Sequence, residues 1–271
     1  MRKGSRRLME TCALCGATVP GLAESHVYPK ALHLLFSDAR DDLPPFVINR
    51  KAAYPGQTVQ KCLGGVYGEF VCPVCEFKLF GPADNEFMRL LHQLSSWPLP
   101  DGQIEMAPNV VPGDPNLLHR FALQTLWRWA VCPRSGIEQV DAAGFGPVIE
   151  RIRSWLLNPA GTLWTKHDIT VSYRIADDHG LALPPRGGWR AGVIVMTIGN
   201  FTFFLASRTR GLRSSLQANR LQAENGVRLL ATTRMHDWII DPMVDMLGEG
   251  RMELADEFME RMRAYSRARR G

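Results

Sequence analysis

The chain has 271 residues, 45% of them hydrophobic and 22% charged, with a formal net charge of +5. This is ordinary globular composition, enough for one large domain or two modest ones with a real core. No apolar run reaches the roughly 18 residues of a membrane span, and no apolar stretch follows the basic N-terminus as in a secretory signal. A cytoplasmic chain with reduced thiols and no membrane partner is therefore expected.

In chain order, residues 1–10 read as a flexible basic arm carrying Arg2, Lys3, Arg6 and Arg7. Phosphate contact and a solvated tail are equally open for it. "CALCG", residues 12–16, opens a first knuckle, and Pro20–Gly21 suit a tight turn, which predicts a hairpin across it. "SHVYP" predicts a short strand, and "KALHLLF" starts a helix. Residues 35–60, polar and proline-bearing, predict a long loop. The stretch through "GEFVCPVCEFKLFGPADNEFMRLLHQL" reads as strand, knuckle and helix, with Phe87, Leu90, Leu91 and Leu94 on one helical face.

Residues 98–116, dense in Pro and Gly, predict a linker between an N-terminal unit, 1–97, and a C-terminal unit, 117–271. In the latter, "PNLLHRFALQTLWRWAVC" and "FGPVIERIRSWLLN" predict amphipathic helices. The apolar setting of Trp127, Arg128 and Trp129 favours core packing over base stacking. "DITVSYRIA", the two halves of "AGVIVMTIGNFTFFLASR" and "NGVRLLATT" predict strands, the middle pair as a hairpin. Arg208, Arg210 and Arg213 make a candidate basic face for nucleic acid, with a solvated loop equally open. A helical end follows, crowded with Arg261, Arg263, Arg267, Arg269 and Arg270. The expected class is α+β: a zinc module followed by an α+β domain with an antiparallel sheet.

Four of the six cysteines form two CxxC steps, Cys12/Cys15 and Cys72/Cys75. Each step curls the backbone so that two sulfurs meet one ion, and two steps complete a tetrahedral zinc shell. Such a closed shell is structural, because no coordination position is left for chemistry. The second pair directly precedes a helix, as in a treble clef. Cys62 and Cys132 stand alone and read as small core residues.

"CALCG…ESHVYPKAL…GGVYGEFVCPVCE" resembles the zinc-containing branch of the HNH endonucleases, over about residues 10–95. The longer run through "HRFALQTLWRWAV" is similar to a group of bacterial proteins carrying this module. The resemblance implies a ββα-metal unit with structural Zn²⁺ and a catalytic Mg²⁺ or Mn²⁺, hydrolysing phosphodiesters in DNA or RNA in a role such as bacterial defence. His26 matches the general base. Glu76 falls where the family has Asn or His, and Asp84 lies near the last metal ligand. Ser25 stands where the family often has an acidic metal ligand; Glu24, one position earlier, shares the face of His26 in a strand. Glu24, Glu76 and Asp84 are thus the candidate Mg²⁺ ligands.

Other roles remain open for each residue. His26 could cap the hairpin, Glu76 could sit at a helix N-terminus for its dipole, and Asp84 could N-cap the next helix. A non-cleaving zinc module that binds nucleic acid or protein is the alternative, as is a site completed by a partner subunit.

Overall fold

The computed structural model describes residues 9–32, 67–98, 101–102, 104, 107–132, 142–158, 167–175, 182–188, 193–207, 220–222 and 226–233. The basic arm, the 35–60 loop, Arg208, Arg210 and Arg213, and the arginine-rich end all lie outside the described residues.

β1 (Glu10–Thr11) and β2 (Thr18–Val19) pair antiparallel across the first knuckle, as the turn residues predict. β3 (Ala23–His26) pairs antiparallel with β4 (Tyr67–Val71), placing His26 opposite Tyr67 and Ser25 opposite Gly68. The second knuckle then runs into a π-helical turn, Cys75–Phe80, and without a break into α1, Gly81–Ser95. α1 buries Phe87, Leu90, Leu91 and Leu94, the face predicted from their spacing.

β5 (Ala107–Val111) lies inside the stretch read as a linker. α2 (Pro115–Val131) starts at Asp114, whose carboxylate accepts from the N–H groups of Asn116 and Leu117, and Pro115 occupies the first turn where its missing N–H costs nothing. α3 spans Ala142–Leu157. β6 (His167–Arg174), β7 (Ala182–Gly188), β8 (Val193–Ile198), β9 (Phe201–Ser207) and β10 (Val227–Thr232) complete a six-stranded sheet with β5. Its order is β5-β10-β6-β9-β8-β7. The sheet is antiparallel except for β6–β10, which is parallel and so needs the long excursion through β7, β8 and β9 between its members.

α1 and α2 pack on this sheet through aromatic side chains. Phe87 of α1 stacks on Phe121 of α2 at 4.0 Å and meets Phe201 at 5.0 Å. Trp127 sits against Phe70 and Phe80, so the same core continues beneath the knuckles. Trp127, Arg128 and Trp129 are all fully buried, in line with the core reading.

At the sheet's end, Gly226 has φ +95° and an added Cβ would lie 2.8 Å from the Val111 carbonyl oxygen. Gly226→Ala should therefore lower stability by about 2 kcal/mol or more, combining left-handed backbone strain with a clash against immovable backbone. The midpoint of urea unfolding checks this.

Candidate metal centre and the cluster beside it

The four sulfurs of Cys12, Cys15, Cys72 and Cys75 all lie within 4.8 Å of one another. Zinc–sulfur bonds of about 2.3 Å place tetrahedral corners about 3.8 Å apart. Cys12 and Cys75 are 3.8 Å apart at sulfur, as are Cys15 and Cys72. A disulfide would need about 2.05 Å; these are free thiols. The donor set therefore fits a four-thiolate ion such as zinc.

Local folding builds this shell. The N–H groups of Cys72 and Cys15 donate to Cys12 Sγ at 3.2 and 3.5 Å. Burial opposes ionisation of Cys12, yet these donors outweigh it and bring its pKa down to about 7. Burial raises the pKa of Cys15 and of Cys75, and at Cys75 the neighbouring sulfurs of Cys72, Cys15 and Cys12 add to it. A divalent ion at the centre would remove the mutual repulsion of the thiolates.

The candidate catalytic residues divide between the two faces of β3. On one face, His26 Nε2 lies 3.9 Å from Glu24 Oε1. The imidazole stacks on Tyr67 at 5.2 Å and is nearly buried, whereas the Glu24 side chain is 52% exposed. Ser25 faces the other way, as strand alternation requires. Its hydroxyl donates to Glu76 Oε2 at 2.6 Å. Ser25 and Glu76 therefore adjoin, as a hydroxyl and a carboxylate.

Arg128, wholly buried, grips Asp84 with both terminal nitrogens, at 3.1 and 2.9 Å, and stands 3.8 Å from Glu76 Oε2. Gln124, one turn earlier on α2, donates to Asp84 Oδ1 at 2.7 Å and to the Phe80 carbonyl at 3.2 Å. The Arg128 guanidinium also covers the Phe80 ring at 4.2 Å. Burial raises the Glu76 pKa, while Arg128 and the Ser25 hydroxyl pull against it.

Asp84 does not N-cap a helix: α1 already begins at Gly81, helped by Pro82, and the Asp84 carboxylate turns to Arg128. In this arrangement Glu76 and Asp84 both face the Arg128 guanidinium, which places a fixed positive charge between them. Among the described residues, the group of three or more potential ligands that converges is the four cysteines.

Sequence reasoning missed Arg128, Gln124 and Tyr67 as parts of this centre. A signal for Arg128 existed: an arginine flanked by tryptophans in an apolar helix must find a buried acid. No helix among the described residues is long and apolar enough to cross a membrane. Comparison with protein-family models, with curated proteins and with solved structures finds no match for this chain.

Proposed function

We propose that residues 9–98 are a zinc-stapled HNH-type module that hydrolyses phosphodiesters in DNA or RNA, with its chemistry on the His26 face of β3. The observation that carries this reading is the His26–Glu24 pair, 3.9 Å apart, at an edge where one partner meets solvent. A neutral imidazole takes the proton of the attacking water. Glu24 then balances the imidazolium. Tyr67 holds the ring from the opposite strand, fixing its direction. The structural ion keeps β3 and the second knuckle together and takes no part in the reaction.

A plasmid-nicking assay with Mg²⁺ or Mn²⁺ tests the proposal. His26→Ala should slow cleavage by at least about a hundredfold, the usual worth of a positioned general base. Glu24→Gln should also slow it, with zinc content unchanged. Cleavage that survives His26→Ala removes His26 from the mechanism.

One observation favours a second reading. Arg128 supplies a fixed cation between Glu76 and Asp84, as expected of a module that binds nucleic acid or a protein without cutting. Absence of cleavage with either metal, together with retained nucleic-acid binding, would decide for it.

A further inference from the structure

Two arginines join the cysteine knuckles to α3. Arg153 donates from Nε to the Ala13 carbonyl at 3.0 Å and to the Leu14 carbonyl at 2.8 Å, across some 140 residues of sequence. Its NH1 is held by Glu150 at 2.7 Å, which orients the fork. Arg120 of α2 donates to the Leu79 carbonyl at 3.1 Å, just after the second knuckle, and to the Leu156 carbonyl at 2.8 Å, in the last turn of α3. Trp155 lies beneath the Arg120 guanidinium at 5.4 Å. The last turns of α3 are thus tied to both knuckle segments.

The acceptors for Arg153 depend on the shape of the first knuckle. Within it, the Cys15 N–H turns toward Cys12 Sγ, the Gly16 N–H returns to the Cys12 carbonyl at 2.9 Å, and the Ala13 N–H reaches the Phe70 carbonyl at 2.8 Å. With these N–H groups directed into the hairpin, the carbonyls of Ala13 and Leu14 are left side by side for one bifurcated donor. Leu14 itself is fully buried, which locks the loop against the core. Without the ion the sulfurs take up protons and lose the bonds that tie the first knuckle to the second, and the paired acceptor geometry goes with the loop.

We propose that α3 reports the state of the metal centre: the metal-shaped first knuckle seats α3 through Arg153, and loss of the ion releases it. This goes beyond the hydrolytic reading and stands whatever His26 does. It gives the chain a device by which metal supply changes a surface remote from the sulfurs.

Hydrogen exchange read by mass spectrometry on the full chain tests it, in four samples: zinc-loaded wild type, chelator-stripped wild type, and zinc-loaded Arg153→Ala and Arg153→Lys. The amides of residues 148–157 should exchange at least about fivefold faster in the stripped protein and in zinc-loaded Arg153→Ala, the low end of ordinary coupling between sites. Arg153→Lys keeps the charge but lacks the Nε donor, and should behave like Arg153→Ala. Residues 193–207, in the sheet, serve as the internal reference and should not change. Because coupling is reciprocal, Arg153→Ala should also lose zinc to a chelator severalfold faster than wild type. Unchanged exchange in α3 of zinc-loaded Arg153→Ala, or unchanged zinc loss from it, overturns the proposal. Should stripping open the whole chain, the comparison of the two zinc-loaded proteins decides alone.

Discussion

Cys12→Ser is expected to lose its metal and the order of the knuckle segments, residues 9–32 and 67–80, while the wild type carries about one zinc per chain by elemental analysis. The strands on which the cysteines sit are too short to stand unaided. β1 and β2 have two residues each, and β3 and β4 have four and five. Isolated two-stranded hairpins are marginal in water even when longer. The ion must therefore supply a large share of this region's stability, on the order of 10 kcal/mol in comparable zinc peptides. Cys12 is the most sensitive of the four positions, since its sulfur accepts two backbone N–H groups and lies 3.8 Å from Cys75. A serine oxygen binds zinc weakly and is too short to reach those donors and the ion together. Protons compete with zinc for thiolates, so retention in a chelator challenge should fall as pH is lowered from 8 toward 5. Cys132→Ser is the control: that thiol is buried elsewhere, and its loss should leave zinc content unchanged. A Cys12→Ser chain that folds normally without metal would remove zinc from the account.

Features that need only local information were legible before any coordinates. The paired CxxC steps converge in space, and the helical faces containing Phe87 and Leu90 or Phe121 and Trp129 are buried. The β8–β9 hairpin turns at Gly199, which has φ +59° and so needs a residue without Cβ. What escaped were edges and partners. β5 and β7 contain Pro108, Pro184 and Pro185, residues that argue against a strand in general but are tolerated at a sheet edge. In β7 the register shifts between Leu183 and Arg186, where the two prolines fall. Edge position is a property of the whole sheet, and no window of sequence contains it. The divided site has the same origin. Alternation along β3 predicted that Glu24 shares the His26 face, and this holds. That Glu76 would meet Ser25, and that Asp84 would meet an arginine 44 residues later, depends on how α2 crosses behind the knuckle.

Arg128→Ala should destabilise the chain by about 3–5 kcal/mol, the cost of leaving a buried charge without its partner. The guanidinium is the only described cation within 4 Å of either Glu76 or Asp84, and it makes two hydrogen bonds to the latter. Its removal also empties the space over the Phe80 ring, which adds a packing loss. The pH dependence separates charge from packing. Without Arg128 the main pull that opposes burial at Glu76 is gone, so its carboxylate is held further above its ordinary pKa, and its protonation relieves the repulsion with Asp84. A group whose folded pKa is raised gains stability as pH falls, so the deficit of Arg128→Ala should shrink between pH 8 and pH 6. A deficit from packing alone would stay constant across that range. The double variant Arg128→Met/Asp84→Leu removes the bidentate pair together and leaves Glu76 with the Ser25 hydroxyl alone, so it should recover part of the loss, since buried pairs replaced by apolar groups of similar volume are often neutral or stabilising. Urea unfolding of the wild type, Arg128→Met, Asp84→Leu and the double variant gives the coupling energy directly. If Arg128→Ala lies within about 1 kcal/mol of wild type, the acids are not buried against that cation, and Glu76 and Asp84 become available again as ligands for a catalytic metal.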